Sequence, residues 1–226
     1  ISGETSGAVP TTAGAYDISF NGGQDVIVIK QDATLSSLLY STYLGGTNYD
    51  LRAKIAFASC DENEVFISCM TMGNFPVTSC AFLATKPAVN AIFPSTYVWD
   101  IVVCKLRTAG LGAADLLYST YFGGDGQDYN GTYDCAPICA NTQGEIFVAY
   151  TTHSTNTPTT AGVFRPAHTS GSDEPVIFKM KASLPTLDFT YSTSNCNTVN
   201  FNGTASGTCI WEQSWAPGYW SWDFGD

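Results

Sequence analysis

Charged side chains are scarce in this sequence, and basic ones are the scarcest. Only 13% of the 226 residues are charged, whereas an average soluble domain has roughly 25%. Acidic residues outnumber basic ones 20 to 9, which gives a formal net charge of −11. Such a chain repels phosphate backbones and anionic lipid surfaces, so we expect no nucleic-acid partner.

Long apolar runs and helical periodicity are also missing. No run approaches the roughly 18 apolar residues of a membrane-spanning helix, so we expect no membrane span. The first residues, Ile1-Ser2-Gly3-Glu4, lack the basic and apolar segments of a signal peptide, and an exported protein would need its signal outside this chain. No stretch keeps a 3.6-residue apolar period, so helix should be rare and the fold class should be all-β.

Histidine is nearly absent, which limits the catalytic chemistry that the chain can supply. His153 and His168 lie in Thr- and Ser-rich stretches, and neither adjoins a nucleophile elbow of the Gly-x-Ser-x-Gly type. Neither histidine lies near a cysteine at metal-ligand spacing, and no Cys-x-x-Cys pair occurs, so a zinc site is not expected. We predict that the chain has no catalytic residue and is not an enzyme.

Cysteine, in contrast, is plentiful. An even number of cysteines suits disulfides in an oxidising compartment, and the alternative is small buried apolar residues in strands. The eight are Cys60, Cys69, Cys80, Cys104, Cys135, Cys139, Cys196 and Cys209.

Two pairings follow from local spacing. Cys196 and Cys209 flank a short strand and a Gly-rich stretch, residues 203–207, that lets the chain turn back, so we predict a disulfide between them. Cys135 and Cys139 would pair only if Pro137 bends the chain between them. Local spacing does not indicate partners for the other four cysteines, Cys60, Cys69, Cys80 and Cys104.

An internal repeat organises the first 193 residues. Residues 39–46, Leu-Tyr-Ser-Thr-Tyr-Leu-Gly-Gly, return at 117–124 with one change and in decayed form as Thr-Tyr-Ser-Thr at 190–193. Two further markers run in phase: an apolar strand beginning at Asp25, Asp100 and Glu174, and a Pro-Thr-type loop at 9–16, 75–82 and 157–164. The period is about 75 residues, which is the signature of a repeat architecture.

Each complete unit contains four β-type runs. We place them at 54–60, 64–71, 99–106 and 115–122 in one unit and at 133–140, 145–152, 174–181 and 187–193 in the next. Four antiparallel strands per repeat is the content of one propeller blade. The recurring acids Asp25, Asp50, Asp100 and Asp128 therefore read as architectural groups and not as a pair of hydrolytic carboxylates.

These markers resemble the bacterial β-propeller repeat called the SBBP repeat. The resemblance implies a partial blade at 1–46 and blades at 47–124 and 125–193; the cysteines and the extra residues 83–98 depart from that pattern. Residues 220–226, Trp-Ser-Trp-Asp-Phe-Gly-Asp, resemble the signature of PKD-type immunoglobulin-like domains, which implies that a β-sandwich begins at 194–226. We expect the chain to start within a blade and to stop within the sandwich.

Two weaker binding features remain. The loop Asp125-Gly126-Gln127-Asp128 offers oxygen ligands for Ca²⁺ but lacks EF-hand spacing, so a structural turn is favoured. Trp211 and Trp215 lie in a predicted loop and could stack on sugar rings.

The two family resemblances together point to large surface proteins and adhesins of bacteria with type 9 secretion. The expected function is a non-enzymatic extracellular scaffold or binding surface at the bacterial cell surface, for adhesion or surface assembly. Expected partners are the rest of the polypeptide, surface glycans or other cell-surface proteins, and the secretion machinery. The alternative is an accessory carbohydrate-binding or spacer region of a secreted hydrolase whose catalytic domain lies elsewhere.

Overall fold

The computed structural model describes residues 1–57, 63–89, 98–129, 137–142, 144–167, 173–181, 186–195 and 198–206. Strands dominate these residues, every strand pair is antiparallel, and the helical content is one 3₁₀ turn, Gly112–Asp115. The all-β prediction is confirmed at this level. Among the described residues there is no helix with the length and apolar character to cross a membrane. The chain divides into two compact units, Ile1–Ala182 and Ser183–Asp226.

Three sheets make up the first unit. The first sheet contains β1 (Ser2–Thr5), β2 (Asp25–Gln31) and β3 (Leu38–Leu44) in that order. The second sheet contains β4 (Asp50–Ala56), β5 (Glu64–Thr71), β6 (Asp100–Arg107) and β7 (Leu116–Phe122), again in chain order. The third sheet contains β8 (Asp128–Tyr129), β9 (Ile138–Ala140), β10 (Glu145–Thr152) and β11 (Glu174–Lys181), with β10 between β11 and the pair β8 and β9.

The two copies of the Tyr-Ser-Thr-Tyr strand have the same place and register. In the first sheet β3 pairs with β2 so that Thr42 lies opposite Val28, and in the second sheet β7 pairs with β6 so that Thr120 lies opposite Val103. Even the irregularity is shared, since the register shifts directly after Lys30 in β2 and directly after Lys105 in β6. The sequence repeat is therefore a structural repeat.

Burial shows that the second sheet lies between the other two. Strands β5 and β6 are buried along almost their whole length, which requires cover on both faces, whereas β10 alternates between buried and partly buried residues. One hydrophobic cluster joins the first two sheets, through residues such as Val26, Leu44, Ile67 and Val102. An aromatic cluster joins the second and third, where the Phe122 and Phe178 rings stack with centroids 3.8 Å apart.

Two predicted strand positions need correction. The strand expected at 54–60 runs from Asp50 to Ala56. Of the strand expected at 133–140, residues 133–136 lie outside the described residues and 138–140 form β9; a further short strand, β8, begins at Asp128, and both β8 and β9 pair with β10. Strands β4 and β8 each begin at an aspartate whose carboxylate accepts a hydrogen bond from a glycine N–H. The apolar pattern alone missed these starts because Asp50 and Asp128 are polar residues at buried positions.

The second unit contains a two-stranded sheet of β12 (Thr186–Asn195) and β13 (Thr198–Ser206). We predicted residues 187–193 as the fourth strand of the third blade and a domain boundary after residue 193. The structure instead pairs these residues with β13, and its first compact unit ends at Ala182. Because only a short connection separates β12 from β13, a local antiparallel hairpin is the readily formed partner for this strand.

Four cysteines fall within the described residues, and all four are free thiols. Cys69 and Cys104 are fully buried members of the core shared by the first two sheets, so at these positions cysteine acts as a small apolar residue. Cys139, the proposed partner of Cys135, is free and exposed. Cys60, Cys135, Cys196 and Cys209 lie outside the described residues, and the predicted Cys196–Cys209 disulfide stays a prediction.

Candidate functional site

The hydroxyl groups of the repeated strand hold a crossing loop in place. In the first sheet the Ser41 hydroxyl donates to the Pro10 carbonyl at 2.7 Å, and the Thr42 hydroxyl accepts from the Asp17 N–H at 2.8 Å. The backbone joins the same contact, because the Thr12 N–H donates to the Ser41 carbonyl at 3.1 Å. Ser41 and Thr42 are fully buried, so these bonds form away from water.

The tyrosines at either end of the motif clamp the same loop. The Tyr43 hydroxyl accepts from the Val9 N–H at 2.8 Å and donates to the Gly7 carbonyl at 3.3 Å. The Tyr40 hydroxyl accepts from the Tyr16 N–H at 3.0 Å. Both rings are 2% exposed, so each tyrosine contributes core packing through its ring and a loop anchor through its hydroxyl.

The second sheet repeats the serine and threonine contacts. The Ser119 hydroxyl donates to the Pro76 carbonyl at 2.6 Å, and the Thr120 hydroxyl accepts from the Leu83 N–H at 2.9 Å. The Thr78 N–H donates to the Ser119 carbonyl at 3.1 Å. Every group corresponds to one in the first sheet, although the loop sequences 9–17 and 75–83 have few residues in common.

The tyrosine contacts of the second sheet also match. The Tyr121 hydroxyl accepts from the Phe75 N–H at 2.5 Å and donates to the Gly73 carbonyl at 3.1 Å. The Tyr118 hydroxyl accepts from the Phe82 N–H at 3.3 Å. The motif Tyr-Ser-Thr-Tyr therefore recurs because each of its four hydroxyls has a backbone partner to satisfy.

The Gly-Gly step after each motif strand brings two buried aspartates together. A Cβ atom on Gly45 would lie 2.7 Å from Asp50 Oδ2 and 3.0 Å from Asp25 Oδ1, so only glycine fits beside both carboxylates. Gly123 has the same surroundings, 2.6 Å from Asp128 Oδ2 and 3.0 Å from Asp100 Oδ1. We call these groups the first junction (Asp25, Gly45, Asp50) and the second junction (Asp100, Gly123, Asp128).

Each junction ties one sheet to the next. Asp25 begins β2 and Asp50 begins β4, and the Gly46 N–H, which follows β3, donates to Asp50 Oδ2 at 2.8 Å. At the second junction the Gly124 N–H donates to Asp128 Oδ2, also at 2.8 Å. The carboxylates act as caps for the backbone where the chain leaves one sheet and enters the next.

Burial dominates the electrostatics of both junctions. Burial raises the pKa of Asp50 to about 6, although hydrogen bonds from Thr71 and Gly46 lower it. The negative charge of the neighbouring Asp25 also raises it. Burial raises the pKa of Asp100 to about 7 although the Lys86 ammonium opposes this, and Asp128 raises it further. The pKa values of Asp25 and Asp128 are raised as well, mainly by burial. All four residues are at most 1% exposed, so a dissolved substrate cannot reach them.

The donors at the two junctions differ in one respect. Asp25 accepts the backbone N–H of Asn21 at 2.7 Å in the tight turn before β2. Asp100 follows the extra residues 83–98 and forms an ion pair with Lys86, whose ammonium also donates to the Val98 carbonyl at 2.8 Å. Among the described residues, a side-chain cation from the insertion is thus the partner of Asp100, where a backbone N–H is the partner of Asp25. Sequence reasoning missed Lys86 because it lies in the extra residues, which have no counterpart in the first repeat.

The loop considered for Ca²⁺ uses its oxygens internally. Asp125 Oδ1 accepts the Thr155 N–H at 2.7 Å and Oδ2 accepts the Thr155 hydroxyl at 2.9 Å. Asp128 Oδ2 accepts the Ser154 hydroxyl at 2.7 Å, and the Gly126 N–H donates to Ser154 Oγ at 2.8 Å. These contacts are those of a structural turn. In the described part of the chain no three His, Cys, Asp or Glu side chains form a group that could hold a metal ion.

His153 lies on the surface with two polar neighbours. Its Nε2 contacts Asp173 Oδ1, and the Tyr129 hydroxyl donates to the same carboxylate oxygen at 2.5 Å. Burial, followed by the hydrogen bond to Asp173, raises the pKa of the Tyr129 hydroxyl to about 12. Ser154, the next hydroxyl in sequence, is directed to Asp128 and not to His153. Ser154 therefore does not form a nucleophile–base pair with His153.

A shallow apolar groove of about 520 Å³ lies between the first and second sheets, at the ends of β2 and β6 opposite the junctions. Its lining includes Ile1, Leu35 and Phe57, all more than half exposed. The described residues that line it include no group of catalytic side chains. His168 and the sugar-binding candidates Trp211 and Trp215 lie outside the described residues.

Comparison with known proteins does not identify a family for this chain. No family model matches the chain, and no curated protein is significantly similar to it.

Proposed function

We propose that this chain is part of a non-enzymatic repeat scaffold of the SBBP β-propeller type, displayed outside a bacterial cell and used for adhesion or surface assembly. The observation that carries the proposal is the repeated network: two Tyr-Ser-Thr-Tyr strands in one register, each holding its loop through the same four hydroxyls. A structure whose repeated polar residues fix loops and join sheets is suited to an extended scaffold that offers a contact surface.

The chemistry of the described residues supports the same conclusion. The carboxylates with raised pKa values are buried at the junctions, the Ser154 hydroxyl is directed to Asp128 and not to His153, and the Asp125 carboxylate accepts hydrogen bonds from Thr155. The net charge of −11 favours cationic or neutral partners such as other cell-surface proteins and glycans. Propeller closure, the PKD-type domain at 194–226 and type 9 secretion belong to this proposal through the resemblance of the motifs.

Localisation is the direct test. An antibody raised against the purified chain should label intact cells of the encoding organism, and deleting the gene should reduce attachment of those cells to surfaces. Labelling that requires permeabilised cells would contradict an outer-surface scaffold. As a control, a strain complemented with the wild-type gene should regain both labelling and attachment.

A second measurement tests the non-enzymatic part. The purified chain should show no turnover of esters, peptides or common polysaccharides. Hydrolysis that persists through purification and disappears when one carboxylate pair is changed to Asn would overturn it. A catalytic domain elsewhere in the full open reading frame would favour an accessory region of a secreted hydrolase.

A further inference from the structure

We propose that the two junctions are proton-binding sites, so that at mildly acidic pH buried protonated aspartates join the three sheets and at higher pH their ionisation loosens the same contacts. The repeat scaffold would then respond to the acidity of its surroundings. The inference is independent of the proposed surface function, because it concerns the chain's own carboxylates.

Charge imbalance is the first support. Four buried carboxylates lie at the two junctions, and in the described part of the chain Lys86 is the one basic side chain that forms an ion pair with any of them. A buried charge without a partner is costly, and a buried carboxyl relieves that cost by taking up a proton. The four carboxylates therefore need at least one further positive charge besides the Lys86 ammonium, and a bound proton can supply it.

Hydrogen bonding is the second support. At each of the four aspartates one carboxylate oxygen, Oδ2, accepts a hydrogen bond or ion pair, while Oδ1 is buried and has no hydrogen-bond partner among the described residues. A protonated carboxyl carries its own O–H donor, which an ionised pair lacks. At each junction the two carboxylates lie within 3.0 Å of the place that a Cβ atom on the same glycine would occupy, and carboxyls held this close together favour binding a proton.

The surroundings explain why a proton and not a metal ion is expected. The two carboxylates of each junction lie beside a glycine that has no space for a Cβ atom, and the described residues contain no group of three His, Cys, Asp or Glu side chains that could hold a metal ion. The junctions are faced by the following charged and titratable groups: Asp17 beside Asp25, Lys86 beside Asp50 and Asp100, Asp125 beside Asp128, and Tyr121, Tyr150, Cys69 and Cys104 from the neighbouring strands. Lys86 is the single cation in this set.

The direction of the pH effect follows from linkage. An aspartate whose pKa is raised on folding stabilises the folded state fully at low pH, and that contribution is lost as pH rises through the folded pKa. With values of about 6 for Asp50 and about 7 for Asp100, the loss should fall between about pH 4 and 8. A salt-bridged aspartate with a lowered pKa would give the opposite slope.

Infrared spectroscopy of the native protein tests the protonation state directly. With ¹³C-labelled aspartate, the C=O band of a protonated carboxylic acid should persist at pH 6 and disappear towards pH 8. The Asp50→Asn and Asp100→Asn variants should each lose part of that band. Its absence from the wild-type protein at pH 6 overturns the proposal, and this reading does not depend on whether any variant folds.

Urea unfolding gives the matching stability test. The wild-type midpoint should fall from pH 5 to pH 8, and Asp50→Asn with Asp100→Asn should flatten the dependence, because asparagine keeps the shape of the neutral acid. Asp32→Asn is the control: hydrogen bonds to Thr34, Ser36 and Ser37 lower the pKa of Asp32 to about 2, so this change should leave the slope intact. An unchanged slope in the double variant overturns the proposal. So does a wild-type midpoint at pH 7 that rises with added CaCl₂ and falls with EDTA, which would assign the sites to a metal ion.

Discussion

Lys86 illustrates how one residue can compensate for an insertion. Its side chain is 20% exposed and its ammonium pairs with Asp100, whose side chain is 1% exposed. Removing the ammonium leaves Asp100 either as an uncompensated buried charge or as an acid that has to take up a proton at this pH, and both cost free energy. We therefore expect Lys86→Met to lower the free energy of unfolding by about 2–4 kcal/mol, measured by urea denaturation at pH 7.5.

The partner change separates lost charge from lost packing. Asp100→Asn in the Lys86→Met background should recover most of the loss, because a neutral amide can remain buried without the ammonium. Lys179→Met is the surface control: the Lys179–Glu145 pair is 3.1 Å long, but the lysine is 57% exposed, and its loss should cost about 0–1 kcal/mol. If Lys86→Met alone costs no more than this control, Lys86 is not a structural counter-ion.

At the scale of the element, the motif strand and its loop should behave as one unit in both copies. Thr42 and Thr120 are fully buried, and each hydroxyl accepts a loop N–H at 2.8–2.9 Å. Valine has the same shape without the hydroxyl, so Thr42→Val and Thr120→Val should each lower the free energy of unfolding by about 1–3 kcal/mol, since a buried N–H loses its partner.

A matched control for these changes is Ser37→Ala, which removes an exposed hydroxyl in the β2–β3 connection and should be nearly neutral. Chemical denaturation of the four proteins under one condition makes the comparison. Clearly unequal losses at Thr42 and Thr120 would show that the two copies have diverged in energy although their geometry is shared.

The strands themselves could be predicted from the sequence where apolar runs carried the signal. Residues 64–71, 145–152 and 174–181 were placed to the residue, because alternation or a continuous apolar run marks a strand with one or two covered faces. The recurring aspartates were also recognised as architectural. Strand β4, which begins at the buried Asp50, was placed four residues too late, because its capping carboxylate interrupts the apolar pattern, whereas β6, which begins at Asp100, was placed within one residue.

Pairing partners at a distance were not predictable in the same way. The hydroxyls of Ser119 and Thr120 were visible as a motif, yet their acceptors and donors lie more than thirty residues away and follow only from the fold. Lys86 lies in an insertion without a counterpart, so the repeat gave no signal for it. The pairing of β12 with β13 likewise follows only from the fold, since short connections join β12 to the strands on both sides of it in sequence.

At the scale of the first unit, the packing clusters of the described residues join each sheet to the next one in the stack. The first and second share the cluster around Leu44, and the second and third share the rings of Phe122, Tyr150 and Phe178. Such an arrangement makes stability approximately a sum of terms for each sheet and for each interface. A change at one interface should then be felt most strongly by the two sheets that form it.

Leu44 and Phe122 occupy equivalent positions at the ends of the two motif strands, and both are at most 2% exposed. Phe122→Ala should cost about 3–5 kcal/mol and Leu44→Ala about 2–5 kcal/mol. Native-state hydrogen exchange should show that Phe122→Ala reduces protection in β10 more than in β2, because the ring that it removes stacks on Phe178 of the third sheet. Leu44→Ala should have the reverse pattern, since its neighbours belong to the first two sheets. If both variants reduce protection equally in β2 and β10, the unit opens as one cooperative body and the nearest-neighbour account is wrong.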